Sequence, residues 1–301
     1  MTRSEGLTLV EVLVAMLLVL VVVAGATAFV TRARAAYRSS ESLAHLEESL
    51  DAAFGLLVDE VRLAGYLGLA PPATSVAGSS ALGSAERPEL AVPGTCGASL
   101  AHDLGVPISA ADATYAAAPG VPLACRASPD GRAMPLADTL VVRHAAPETG
   151  RAQAGRLQLE TNLRTATLVA NGVATLGSGA RWHDLEVGVY YVSRDSTGRR
   201  GWPSLRRKRL VGGTRPAFQD EELVSGIGDL QVSIGLDDPV DADAAVDRWI
   251  NPGEPVLGGM PRAIRLELEA QSDIPERDQP GFVRRKRVSR VIELRNVGVA
   301  P

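Results

Sequence analysis

Leu7 to Val30 reads LTLVEVLVAMLLVLVVVAGATAFV, a run in which Glu11 is the sole ionisable side chain. As a helix rising 1.5 Å per residue it is about 36 Å long, enough to cross a hydrocarbon core of roughly 30 Å. Arg32, Arg34 and Arg38 follow it, and only Arg3 and the α-amino group precede it. The positive-inside bias therefore argues weakly against a cytoplasmic N-terminus, and orientation has to come from other features. A lone carboxylate at bilayer depth costs on the order of 2.5–3.5 kcal/mol, so Glu11 needs a partner. It could snorkel to the headgroups or be protonated; the reading adopted is an ion pair between molecules.

The rest of the chain is more polar than this run. Over all 301 residues, 46% are apolar and 22% charged, with a net charge of −4. That supports an ordinary core in one large domain or two small ones and excludes disorder throughout. It also confines any nucleic acid to a local patch. Cys96 and Cys125 are too few for a cysteine-ligated zinc site or an iron–sulfur cluster, but they suffice for one disulfide.

No proline occurs before Pro71, and Leu43, Leu46, Leu50, Phe54, Leu57 and Val61 recur at helical spacing. Arg38, Glu41, Glu47, Glu48, Asp51, Asp59 and Arg62 fall on the other face. One helix is thus expected from about Leu7 to Ala64, apolar all round to residue 30 and amphipathic over 31–65, with Gly65 as its C-terminal stop. Residues 66–136 are rich in Ala, Gly, Pro and Ser and read as irregular. Residues 137–301 turn β-rich, with strands at Thr139–His144, Arg156–Thr161, Thr165–Ala170, Glu186–Ser193 and Leu205–Val211 in an antiparallel meander. No internal repeat is visible.

Gly6 followed by Leu7-Thr8-Leu9-Val10-Glu11, behind a short polar leader, resembles the signal of type IV prepilins. The resemblance implies a leader of residues 1–6, cleavage between Gly6 and Leu7 by a membrane peptidase, and N-methylation of Leu7. It also implies that Glu11 pairs with the N-terminal amine of a neighbouring subunit during assembly. The stretch Glu222–Val232, the loop to Trp249 and Pro261–Glu269 resemble the C-terminal part of PilW-like minor pilins and of J-type minor pseudopilins of type II secretion. This second resemblance covers about residues 220–298. If the N-terminus is cytoplasmic, as in prepilins, the head is periplasmic and a Cys96–Cys125 disulfide is favoured. An ordinary secretory signal peptide cut after Ala26-Thr27-Ala28 is the rival, although the apolar run exceeds a usual h-region and gives Glu11 no role there.

Catalytic signatures are missing: there is no G-x-S-x-G, H-E-x-x-H, P-loop or G-x-G-x-x-G. His45, His102, His144 and His183 are scattered, and His183-Asp184 beside Trp182 reads as loop surface. Asp237, Asp238, Asp241, Asp243 and Asp247 crowd one segment and are weak candidates for Ca²⁺; a solvated acidic loop is the expectation. The runs 206–209 (RRKR) and 284–287 (RRKR) read as solvated edge strands protected by charge, since alternation splits each run between two faces.

The expected fold is α+β and pilin-like: a long helix, membrane-spanning and then amphipathic, on an antiparallel sheet. The expected function is that of a type IV pilus minor pilin in assembly priming or at the tip, with no enzymatic activity and no cofactor. Pilus-based adhesion and twitching motility are the cellular activities this implies. Expected partners are other minor and major pilins, the prepilin peptidase, the inner membrane and a tip adhesin, but not nucleic acid. The alternatives are a minor pseudopilin of type II secretion and, in another class, a membrane-anchored or secreted periplasmic binding protein.

Overall fold

The computed structural model describes residues 8–72, 74–79, 90, 92, 96–97, 100–128, 131–238, 240, 245–254, 259–272 and 283–297. The chain divides into two compact units, residues 1–46 with 272–284 and residues 47–271 with 285–301. Helix α1, Leu9–Leu63, contributes to both.

In the first unit α1 is apolar all round up to Val30. Its hydroxyls are absorbed locally: Thr27 donates to the Val23 carbonyl at 3.0 Å, and Thr31 donates to the Thr27 carbonyl at 3.0 Å. Such back-bonding lets polar side chains sit inside an apolar helix without orphaned groups. Among the described residues nothing in the unit covers this stretch, and Leu9, Val22 and Phe29 are 77%, 68% and 73% exposed. Further on, the buried Ser42 hydroxyl meets that of Ser272 at 2.8 Å, and Arg284 donates to the Ser39 hydroxyl at 2.9 Å. Here the buried edge of the helix is Ser42, so Leu43, placed in the apolar stripe by its spacing, is instead exposed.

In the second unit the stripe is as expected: Leu50, Phe54, Leu57 and Val61 are buried. Gly65 ends the helix with φ +78°, its N–H donating to the Arg143 carbonyl at 3.0 Å. A Cβ there would lie 2.6 Å from the Asn296 carbonyl oxygen, so both backbone conformation and space call for glycine.

The larger sheet has 8 strands. They are β1 (Val76–Ala77), β2 (Ile108–Ala111), β5 (Thr139–Ala145), β6 (Ala154–Thr161), β7 (Ala166–Asn171), β8 (Arg181–Ser193), β9 (Ser204–Val211) and β10 (Ala217–Ser225). The order is β1-β7-β6-β8-β5-β2, with β9 attached to β8 and β10 to β9; β1 runs parallel to β7 and the other pairs are antiparallel. All five strands expected between 139 and 211 are present, but they do not form a simple meander, because β8 pairs β6 with its first residues and β5 and β9 with its later ones.

Residues 66–136 also do more than expected. β2 pairs along β5, and β3 (Ala116–Ala118) forms a hairpin with β4 (Val121–Pro122). The alanine-rich β2 owes its conformation to the open edge of β5 rather than to its own propensity. The Cys96–Cys125 disulfide is present, and its sulfurs join a cluster with Leu100, Leu123, Val141 and Val189.

The smaller sheet has 4 antiparallel strands in the order β12-β11-β13-β14. These are β11 (Ile227–Asp237), β12 (Arg248–Ile250), β13 (Met260–Gln271) and β14 (Arg285–Glu293). Gly226 alone connects β10 to β11, with φ +85°, its N–H bonded to the Pro203 carbonyl and its carbonyl to the Gln271 N–H, both at 2.8 Å. Asp138 ties the sheets a second time. Its two carboxylate oxygens accept the N–H groups of Ala113 and Val232, each at 2.8 Å, and burial pushes its pKa up to about 6 despite those bonds.

Candidate assembly site

Thr8 and Glu11 open α1 as a reciprocal cap. The Thr8 N–H and hydroxyl donate to Glu11 Oε2 at 2.9 and 3.0 Å, while the Glu11 N–H approaches the Thr8 hydroxyl at 3.4 Å. This is the S/T-x-x-E arrangement that satisfies the orphan donors of a helix start, and the carboxylate also complements the helix dipole. The spacing is plain in the sequence, although the apolar run drew attention to the cost of Glu11 rather than to its local use. Oε2 takes both Thr8 bonds, and Oε1 has no partner among the described residues. Gly6 and Leu7, the expected processing pair, lie outside the described residues.

Apart from Thr27, the helix around Glu11 presents apolar side chains from Leu9 through Val30, all exposed. It is long and apolar enough to cross a membrane. The molecule thus offers a carboxylate held by Thr8, with one oxygen unpartnered among the described residues, on a surface that water does not favour.

At the other end of α1 a buried ionic cluster grips the helix. Glu60 accepts from His144 Nε2 at 3.1 Å and from Arg207 Nη1 at 3.0 Å. The other His144 nitrogen donates to the Ala145 carbonyl at 2.8 Å, so both ring nitrogens face acceptors. Burial alone would lower the His144 pKa, but the bond to Glu60, the Ala145 carbonyl and the charge of Glu186 raise it. Burial would likewise raise Glu60, yet His144 and Arg207 hold it below the ordinary carboxylate range. Three residues so far apart in the sequence carry no local signal of their meeting.

Of the two basic runs, the one in β9 is not a solvated edge, whereas the one in β14 is. β9 lies inside the sheet, and Arg206 and Lys208 are buried against Asp220 at 2.7 and 2.9 Å. Alternation does send Arg207 and Arg209 to the other face, where they meet Glu60 and Glu221, and Glu186. β14 is an edge strand, and its residues too are paired: Lys286 with Glu47, Arg287 with Asp229, Glu267 and Glu269, and Arg290 with Asp51. Acidic residues on neighbouring elements, remote in sequence, pair both runs, the first inside the sheet and the second on an exposed edge.

His183 lies in β8 rather than in a loop and is buried, with Nδ1 bonded to the Ala146 carbonyl at 2.8 Å. Asp184 pairs instead with Arg156 and Gln158, so the two adjacent residues form no acid–base couple. His102 is also buried, donating to the Leu90 carbonyl at 2.7 Å.

In the acidic segment Asp237 ends β11 and is paired with Arg262 at 2.7 Å, while Asp247 accepts the Asp238 N–H at 2.6 Å. Asp241 and Asp243 lie outside the described residues. Among the described residues no group of three or more His, Cys, Asp or Glu is arranged to hold a metal ion.

An exposed apolar helix that opens on a capped glutamate, followed by antiparallel sheets, defines a pilin-type subunit. Residues 1–27 match the prokaryotic N-terminal methylation motif, and residues 189–256 match PilW, the type IV pilus-assembly protein W. Together the two matches support a PilW-like type IV minor pilin. The PilW match runs from β8 through β12, earlier than the 220–298 suggested by the resemblance, and so takes in the basic ladder of β9 and the Gly226 corner. Neither curated proteins nor solved structures provide a match. Pilin-family domains are structural and in general interact with other pilins and the prepilin peptidase, and the methylation motif ahead of an apolar helix supports a membrane-anchored pilin.

Proposed function

We propose that this chain is a low-copy minor pilin that primes pilus assembly or sits near the tip, with its N-terminus cytoplasmic and its head periplasmic. It is cut between Gly6 and Leu7, and Glu11 receives the methylated amine of an adjacent subunit. The observation that carries this reading is the Glu11 carboxylate fixed through Oε2 by Thr8 on an exposed apolar helix, its Oε1 without a partner among the described residues; a matched pair in a low-dielectric environment offsets the desolvation of each charge. The disulfide supports a head in an oxidising compartment. The role is mechanical, without catalysis or cofactor, and the ion-paired basic runs support a reading without nucleic acid.

The test is co-purification of Glu11→Gln with partner pilins, alongside its level in the membrane. We expect normal cleavage and insertion with reduced recovery of partners, and undiminished recovery would remove the ion-pair mechanism. Mass spectrometry should find N-methylated Leu7 as the first residue, and a mature terminus at Phe29 would mean an ordinary secretory signal. Deletion should reduce surface pili; loss of exoprotein secretion with pili intact would place the chain in a secretion system instead.

A further inference from the structure

We propose that the face of α1 formed by Phe29, Val30, Ala33, Arg34, Tyr37 and Arg38 binds an anionic phospholipid, with the phosphate on the two arginines and an acyl chain along the apolar residues. The six positions follow the spacing i, i+1, i+4, i+5, i+8, i+9 and enclose a shallow groove of about 500 Å³ on one side of the helix. Phe29 and Tyr37 stand 73% and 71% exposed, and Val30 also lines the groove. The groove is graded along the helix axis, apolar toward the membrane-spanning run and cationic away from it.

Charge selects the occupant. Arg32, Arg34 and Arg38 make no ion pair among the described residues, in contrast to the arginines of β9 and β14. No acidic residue occurs between Glu11 and Glu41, so this stretch of helix has no counter-charge of its own. Position gives the second reason. Leu9 to Val30 rises about 33 Å, close to a hydrocarbon thickness of roughly 30 Å, which puts the next two turns in the headgroup layer. Aromatic residues flanking arginines at that depth match the chemistry of the interface. Arg34 and Arg38, one turn apart, can fork a phosphate from two sides, as guanidinium groups do in phosphate recognition. Which leaflet supplies the lipid rests on the topology proposed above; the headgroup chemistry does not.

The experiment uses the full-length chain in phosphatidylcholine bilayers containing a minor fraction of phosphatidylglycerol, with spin-labelled versions of each lipid. Electron paramagnetic resonance reads the fraction of each label immobilised by the protein. Each arginine near an anionic surface contributes about 1 kcal/mol, so the wild type should prefer phosphatidylglycerol at least roughly fivefold. Arg34→Gln with Arg38→Gln should bring the ratio to parity, and Lys at both positions should retain part of it. The head's melting temperature, unchanged in all variants, guards against misfolding. Equal immobilisation of both lipids by the wild type, or a preference that survives the double Gln variant, would overturn the proposal. So would loss of chain-to-chain crosslinking in the Gln variant without any lipid preference, which would assign the arginines to a neighbouring subunit. The readout needs neither peptidase cleavage nor pilus assembly, so its failure is distinguishable from failure of the pilin reading.

Discussion

Leu9–Val30 and Leu50–Val61 are parts of one helix with the same hydrogen-bond pattern, yet every large apolar side chain of the first is exposed, while Leu50, Phe54, Leu57 and Val61 of the second are buried. Helix formation is common to both and therefore does not distinguish their roles. What differs is the cover: the head buries the later stretch, while the described residues leave the earlier one bare. Stability measurements on the head should consequently be sensitive to the second stretch and blind to the first.

The largest effect should come from Phe54→Ala. Phe54 is fully buried with the Arg290 guanidinium 4.6 Å from its ring centre, and deleting a buried phenyl ring typically costs about 3–5 kcal/mol. Near-ultraviolet circular dichroism of the detergent-solubilised chain should show the loss, whereas Leu18→Ala, at a residue 60% exposed, should leave the head's melting temperature in place. A shift with Leu18→Ala would show that the exposed run is covered by its own chain. Next is the disulfide. Its half-cystines are 29 residues apart, and removing it should cost about 3–4 kcal/mol in the chain-entropy description. Cys96→Ser with Cys125→Ser should melt well below the parent, and a change of less than a degree would show the segment is ordered without its staple.

Asp138→Ala should follow closely, because it strands the Ala113 and Val232 amides, at about 1–3 kcal/mol for each buried donor left unpaired. Asp138→Asn, which keeps one acceptor, should fall between the parent and the alanine variant.

A smaller effect depends on pH. His144 is raised above its unfolded value of about 6.5, so its contribution is complete below that pH and is lost as pH rises through the folded value. Glu60 is lowered, so its contribution holds above about 4.3 and is lost as pH falls through the folded value. The grip on the later part of α1 should therefore be best in the window between. Melting temperature should decline in the parent as pH rises above about 6.5 and lose that slope in His144→Gln. The earlier part of α1, which has no such cluster, should show no pH effect over this range. Smallest of all, Thr8→Ala should remove a cap worth about 0.5–2 kcal/mol locally, raising hydrogen exchange at the first turn while leaving the head untouched.

The two stretches also differed in how openly the sequence declared them. An apolar run and a helical stripe are local patterns, so α1, its end at Gly65 and the strands β5 to β9 could be read directly. Leu43 was misplaced because the contact there is made by Ser42 with Ser272, a residue brought near only by folding. β2 and the β3–β4 hairpin carry no periodicity and take their form from β5 and from each other. The basic run of β9 looks solvated in the sequence because its acids, Asp220 and Glu221, sit on another strand, while that of β14 is the exposed edge its charge announces. Of the candidate site, Glu11 was legible in position and its bond to Thr8 was legible in spacing, whereas the Glu60–His144–Arg207 cluster depends on three elements meeting.

The Gly226 corner bears on how relatives of this chain can differ in length. Side chains on a strand alternate with a period of two, so one residue inserted between β10 and β11 would reverse the facing of one strand relative to the other. Leu230, Val232 and Leu236, now buried, would turn outward, and the polar residues between them would turn in. Insertions and deletions should thus be excluded at this corner and collect instead in the segment between β11 and β12, where an added residue moves no strand.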